Sequence, residues 1–277
     1  MQIVDALKQA RQQLHASESA QLDSELLLCE VLNCERSHLY AYPEKELTKH
    51  NIESLNQFIT LRTQGLPIAH ITKQREFWSL LLQVDEHTLI PRPETEILVD
   101  AALKLIPKGS KKDILDLGTG SGAIAIAIAS ERPLAKIIAT DKSDKALRVA
   151  IQNAEKHNIN NIHFINADWF NMENKLSYDV IVSNPPYICS DDTHLEQGDV
   201  RFEPLSALAS GKDGLDDLRI IICEAKCHLN KQGWLLVEHG YNQATQVQQL
   251  FNENNFNSVT TIKDYSDNDR VTIGEKI

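Results

Sequence analysis

Apolar residues recur at helical spacing through the first third of the chain, at Ile3, Leu7, Ala10 and Leu14, then at Leu22, Leu26, Cys29 and Leu32, then at Ile52, Leu55, Phe58 and Ile59. This periodicity predicts a small helical domain over residues 1–74. The period then shortens. Residues 76–90 hold two extended runs on either side of Asp85-Glu86-His87, which predicts a β-hairpin, with residues 75–92 as a linker. In Pro91-Arg92-Pro93-Glu94-Thr95-Glu96, Pro93 sits at or near a helix start, and carboxylates in that first turn favour the helix dipole, so a second domain is expected over 93–277. From residue 113 onward, short apolar runs at 113–117, 136–140, 162–166, 179–183 and 233–238 alternate with helical patterns. Such alternation predicts an α/β domain with a parallel sheet covered on both faces. Two closing runs, 258–263 and 270–273, flank 264–269 and predict an antiparallel hairpin at the sheet edge.

Composition narrows the choice of partner. The 277 residues suffice for one large domain or two ordinary ones, and the formal net charge of −11 with no basic patch argues against a general nucleic-acid binder. Asp5 stands where a secretory apolar region would begin, so a cytoplasmic protein is expected. The longest uniformly apolar stretch, 123–129, is far below the roughly 20 residues that span a bilayer. Five cysteines, Cys29, Cys34, Cys189, Cys223 and Cys227, lack paired CxxC spacing and are expected to be reduced. Cys223 and Cys227 could share a helix face, but no further ligands cluster near them, so no metal is expected.

The chemistry concentrates at the ends of the predicted strands. Asn184-Pro185-Pro186-Tyr187 follows the run 180–182. Each proline holds φ near about −65° and donates no hydrogen bond, so the carbonyls of this turn point in set directions. Asn184 adds a side-chain acceptor and Tyr187 a flat aromatic face, a combination able to grip and stack a planar NH2 group. Chemistry on an amino or amide nitrogen is one reading; a Pro-Pro turn that merely ends a strand is the other. The first strand of the second domain runs into Gly118-Thr119-Gly120-Ser121-Gly122 and then a helix of Ala and Ile, where glycines let a ligand approach free backbone amides. The third glycine comes one residue too early for the dinucleotide GxGxxG pattern, which weakens an NAD reading. Asp116 precedes this turn, and Asp141 ends the next strand, where a carboxylate can take both ribose hydroxyls. Asp168 and Trp169 end the strand after that and could flank a purine ring, although Trp169 could equally be a core residue.

In family order, these motifs resemble the class I S-adenosylmethionine-dependent methyltransferases. More narrowly, the chain resembles the HemK/PrmC family, the protein-(glutamine-N5) methyltransferases that modify peptide chain release factors. The segments 89–96 (Leu-Ile-Pro-Arg-Pro-Glu-Thr-Glu) and 197–204 (Gln-Gly-Asp-Val-Arg-Phe-Glu-Pro) and the tripeptide Asp269-Arg270-Val271 carry that resemblance, which covers nearly the full length. It implies a Rossmann-like domain with a mostly parallel seven-stranded sheet and an antiparallel edge hairpin, and a small N-terminal helical domain for substrate recognition. It also implies S-adenosyl-L-methionine as cofactor, with Gly118, Thr119, Gly120, Ser121 and Gly122 along its methionine part, Asp141 on the ribose, Asp168 and Trp169 at the adenine, and Asn184 reaching it too. The implied substrate is the glutamine of a Gly-Gly-Gln segment of class 1 release factors, bound by Asn184, Pro185, Pro186 and Tyr187. Asn184, Pro185 and Tyr187 take the catalytic roles. The implied enzyme is a monomer that binds no nucleic acid directly. Lys73 and Ser266 stand where the family usually, or often, has glycine, which bears on local turn geometry.

Other groups carry less. Glu94 and Glu96 read as a solvated helix start, and His194 and His239 as isolated loop or core histidines. Arg201 and Glu203 could shape a substrate mouth or form a surface ion pair. Rival functions are an adenine-N6 nucleic-acid methyltransferase, a non-catalytic cofactor-binding module on translation proteins, and an NAD-dependent oxidoreductase.

Overall fold

Helix α1 (Ile3–Gln13) buries Ile3, Ala6 and Ala10, close to the stripe expected of it. It packs with α2 (Ala20–Leu32), α3 (Arg36–Ala41), α4 (Lys49–Thr63) and α5 (Ile68–Thr72) around a core that includes Leu27, Leu28, Leu39, Leu55 and Ile59. The computed structural model describes residues 1–172 and 177–277 and divides into two units, one of residues 1–74 with 197–202 and the other of 75–196 with 203–277. Helix α4 begins at a capping box, in which the Thr48 hydroxyl accepts from the Asn51 amide while the Asn51 side chain accepts from the Thr48 amide.

The inward face of α2 differs from its apolar periodicity. Leu22 is exposed, and Asp23, Ser24, Glu25, Leu27 and Leu28 are buried instead. Ion pairing accounts for the rotation. Asp23 receives Nε of Arg62 at 2.8 Å and the hydroxyls of Ser17 and Ser19, each at 2.8 Å. Glu25 receives Arg36 and the Tyr40 hydroxyl. Arg62 also donates to Asp199 at 2.8 Å and to the Leu66 carbonyl at 3.2 Å. At the end of α5, Lys73 adopts the left-handed conformation (φ 56°), so a non-glycine residue keeps a turn that glycine would enter more cheaply.

In the second unit, β1 (Gln74–Phe77) and β2 (Leu80–Gln83) form a hairpin. Its turn lies at Trp78-Ser79, both at positive φ (53° and 59°), and not at Asp85-Glu86-His87 as the sequence suggested. Residues 85–88 are a separate turn, closed by the His87 amide on Asp85 Oδ1 at 2.9 Å. The hairpin tip is held by carboxylates: the Trp78 amide donates to Glu96 and the Ser79 amide to Glu76. Glu96 is therefore engaged with the hairpin and is not simply a solvated residue of its helix, α6 (Glu96–Leu105).

The sheet comprises β3 (Asp113–Leu117), β4 (Lys136–Asp141), β5 (Ile162–Asn166), β6 (Tyr178–Ser183), β7 (Leu229–Glu238), β8 (Asn257–Lys263) and β9 (Asp269–Glu275). Their order is β5-β4-β3-β6-β7-β9-β8, with β9 antiparallel to both neighbours and the remaining pairs parallel. The expected fold class is thus the observed one. Helices α7 (Ala123–Glu131), α8 (Asp144–Lys156), α9 (Asp216–His228) and α10 (Ala244–Glu253) complete the unit. One apolar cluster joins α6 and α7 to the sheet and the other joins α9 and α10 to it, so β3 and β6 are buried on both faces, as central parallel strands require. In the β8–β9 connection, Asp267 carries the positive φ (65°) and Ser266 does not, so glycine is not needed at 266.

Arg62→Met would leave the Asp23 carboxylate buried against two hydroxyls without a cation. Loss of a buried pair of this kind is expected to cost about 3 kcal/mol, read as a lower urea midpoint at unchanged m value.

Candidate active site

Parallel register brings four strand ends to one edge of the sheet. Leu117 pairs with Thr140 on one side and Ser183 on the other, and Asp141 pairs with Asn166. The chain leaving β3, β4, β5 and β6 therefore meets around a cavity of about 300 Å3, lined also by parts of 86–95 and 204–207. Gly118, Thr119, Gly120, Ser121, Asp141, Asp168, Trp169, Asn184 and Pro186 line it. Gly122, Pro185 and Tyr187 do not.

The glycine turn is built for close approach. Gly118 has φ 70°, and a Cβ there would stand 3.2 Å from the Trp169 ring. Gly122, at φ 84°, caps α7, and a Cβ there would press on Ile126 and Ala150, so this glycine serves the packing of α7 against α8. Asp141 accepts from the Gly120 amide at 2.9 Å and the Ser143 amide at 2.8 Å, one on each oxygen. A carboxylate has about four lone-pair sites, so both oxygens keep acceptor capacity toward the cavity. Burial raises the Asp141 pKa against these two bonds. Trp169 (φ 48°) is both lining and anchor: its Nε1 donates to Asp217 at 3.2 Å, and its ring packs against the core beneath.

Asn184 donates from Nδ2 to the Thr95 hydroxyl at 3.1 Å, while its Oδ1, shielded from solvent, has no hydrogen-bond partner among the described residues. An unpartnered acceptor in such a place is costly without a ligand. The Tyr187 hydroxyl donates to Glu238 at 3.2 Å, and its pKa is raised by burial and by that carboxylate. Gln243 donates to the Tyr187 carbonyl at 3.0 Å, which fixes the exit of the turn.

Sequence reasoning passed over Thr95, Glu238 and the partner of Glu203. Glu203 is buried and accepts from the Ile90 amide at 2.8 Å and from Arg92, so it ties down the segment before α6 and does not pair with Arg201. Arg201 donates to the Gln64 carbonyl. The signal was present in the proximity of Arg92 to Thr95, but its partner lies over a hundred residues on. His239 is a core histidine, held between Thr272 and the Gly240 carbonyl, with burial lowering its pKa. His194 is exposed beside Asp192.

This sheet order, with glycine turn, acidic strand end and acceptor turn around one cavity, defines a methyltransferase of the class I fold. Comparison with known proteins agrees. A methyltransferase domain model matches residues 108–273, and a PrmC N-terminal domain model matches residues 5–72. The chain is 47% identical over 268 residues to the release factor glutamine methyltransferase of Escherichia coli (strain K12), covering 97% of this chain and 96% of that one. It is 46% identical over 274 residues to the enzyme of the same name from Shewanella oneidensis, covering 99% and 96%. The crystal structure of a methyltransferase from Pyrococcus furiosus shares the fold, with a TM-score of 0.54 at 20% identity over 71% of this chain and 89% of that one. The chain belongs to the release factor glutamine methyltransferase family. No helix of the described residues is long and apolar enough to cross a membrane.

Beneath the glycine turn, Asp116 is fully buried and accepts from the Thr119 hydroxyl at 2.6 Å. Burial pushes its pKa up from 3.8 to about 7, with the Thr119 bond opposing. The folded chain thus holds this proton more tightly than the unfolded chain. The contribution to stability is complete below the unfolded pKa of 3.8 and is lost as pH rises through about 7. Asp116→Asn is expected to flatten the decline of the urea midpoint between about pH 4 and pH 7, the window set by those two values; an unchanged slope refutes the assignment.

Proposed function

We propose that this enzyme transfers a methyl group from S-adenosyl-L-methionine to the side-chain amide nitrogen of a glutamine presented by a release factor, in the Gly-Gly-Gln segment that the family resemblance implies. The observation that carries this reading is the free Oδ1 of Asn184, an acceptor at the cavity with its own amide nitrogen already tied to Thr95. The cavity also fits the cofactor. Asp141 retains lone pairs for ribose hydroxyls, and Gly118 leaves the Trp169 ring beside the open backbone of the glycine turn, where a purine can lie.

When bound, the cofactor supplies an electrophilic methyl group on a sulfonium. The residues of the chain do the rest by placement. A carboxamide nitrogen is a poor nucleophile because its lone pair is delocalised into the carbonyl, so its orientation decides the rate. Asn184 Oδ1 and the Pro185 carbonyl accept its two N–H bonds and aim the nitrogen at the methyl carbon. As the N–C bond forms and the S–C bond breaks, positive charge moves onto nitrogen, so these acceptors bind the transition state more tightly than the ground state. The extra proton then leaves to solvent, and no strong general base is required. Tyr187, outside the cavity lining, backs the turn through its hydroxyl on Glu238. The helical residues 1–74 take the role of substrate recognition.

Asn184→Ala is expected to lower kcat by about 100-fold while leaving cofactor affinity within a small factor; near-normal turnover would sink this role. Asp141→Ala is expected to weaken S-adenosylmethionine binding by about tenfold or more in a calorimetric titration, since hydrogen bonds to a charged acceptor are lost. The reaction itself is tested with labelled S-adenosylmethionine and a release factor, or its Gln-to-Ala variant, with the label located by mass spectrometry. Label on a residue other than the glutamine, or on added nucleic acid, would favour the adenine-N6 reading or another substrate.

A further inference from the structure

Asn153, near the end of α8, is fully buried and is not among the residues that line the cavity. Its Oδ1 accepts from the Gln83 amide at 2.6 Å, while its Nδ2 donates to the Gln83 carbonyl and to the Ser121 carbonyl, each at 2.9 Å. Both amide hydrogens are thereby used. The partners also fix the orientation of the group, because a flipped amide would set N–H against the Gln83 N–H and oxygen against two carbonyls.

Ser121 belongs to the glycine turn and lines the cavity, whereas Gln83 ends β2, three residues before the lining stretch 86–89. The turn at 85–88 is closed on itself, the Thr88 amide donating to the Asp85 carbonyl at 3.2 Å and the His87 amide to Asp85 Oδ1 at 2.9 Å. Its place therefore depends on its two ends. At the far end the Ile90 amide donates to Glu203 at 2.8 Å, and at the near end Asn153 takes both main-chain groups of Gln83. Lys156 and His157 reach the Leu81 carbonyl, at 2.8 and 3.1 Å, and so dock β2 without touching the glycine turn. Asn153 bonds to both. A ligand held between two stretches binds more tightly when their spacing is set before it arrives, since binding need not then order them. We propose that Asn153 is a positioning residue for the cofactor, which joins the glycine turn to the wall at 86–89 and sets the spacing between them. This assignment rests on the reading of the cavity as the S-adenosyl-L-methionine site and adds what fixes its width.

Asn153→Asp keeps the shape and the acceptor for the Gln83 amide but turns lone pairs toward both carbonyls. Asn153→Leu keeps most of the volume and removes all three bonds. In a calorimetric titration each is expected to weaken binding of S-adenosyl-L-methionine, and of S-adenosyl-L-homocysteine, by about tenfold or more. With a release factor, KM for the cofactor should rise by a similar factor, while kcat at saturating cofactor and KM for the release factor stay within about twofold. A control separates this from lost stability. Arg132 is buried and donates to the Ile106 and Leu103 carbonyls at 2.6 and 2.9 Å, outside the cavity lining. Arg132→Met should lower the urea midpoint yet leave cofactor affinity within about twofold.

Wild-type affinity in either Asn153 variant overturns the assignment, as does an Arg132→Met loss of affinity equal to theirs. If neither Asn153 variant folds, amide exchange in the unmodified protein decides. Saturating cofactor should slow exchange of the Gln83 amide together with that of the glycine turn, and slowing at the turn alone overturns the assignment. Wild-type protein that binds no S-adenosyl-L-methionine overturns the reading of the cavity, and this assignment with it.

Discussion

Strand β3 lies between β4 and β6, and the parallel register on its two sides sets where every candidate group of the cavity sits. Backbone and side-chain bonds lock that register where the strands end: the Ser183 hydroxyl donates to the Leu117 carbonyl at 2.8 Å, and the Thr119 amide to the Thr140 carbonyl at 2.8 Å. A slip of one residue would reverse the side chains of a strand buried on both faces. It would also move the glycine turn relative to Asp141 or Asn184. The apolar packing that holds the sheet together is thus the same constraint that assembles the site.

Buried carboxylates fall into two kinds, and the distinction follows their chemistry. Asp23 and Glu203 are each paired with an arginine, Arg62 and Arg92, and each joins segments distant in sequence. Asp116 and Glu238 rely on hydroxyl donors in place of an ion pair, and burial raises the pKa of each to about 7. They lie under the glycine turn and beside the acceptor turn. A desolvated carboxylate is expensive, but as an acceptor it directs hydroxyl hydrogens strongly, that of Thr119 at Asp116 and that of Tyr187 at Glu238. The stability given up is consistent with groups retained to order polar atoms around a ligand.

Hydrophobic periodicity and turn chemistry carried far. The five parallel runs, the closing hairpin and the glycine turn were legible because each depends on short-range sterics and on strands buried on both faces. The first hairpin was misplaced because Leu80, Leu81 and Leu82 continue the apolar character of Phe77 and Trp78, which hides a turn with two positive φ values. The face of α2 was misjudged because charges buried through distant partners look, along the chain, like solvated ones. Asp23 and Arg62 are 39 residues apart.

The sequence by itself determined the fold class, the family and the positions of the strand-end motifs, since apolar runs, glycines and prolines act through their nearest neighbours. Only the tertiary structure decided which polar atoms are satisfied and which are left free. Asn184 and Thr95 are 89 residues apart, and Tyr187 and Glu238 are 51. In the folded chain Asn184 donates to Thr95 and keeps Oδ1 unpartnered among the described residues, because the direction of a hydrogen bond belongs to the pair of groups that the fold brings together.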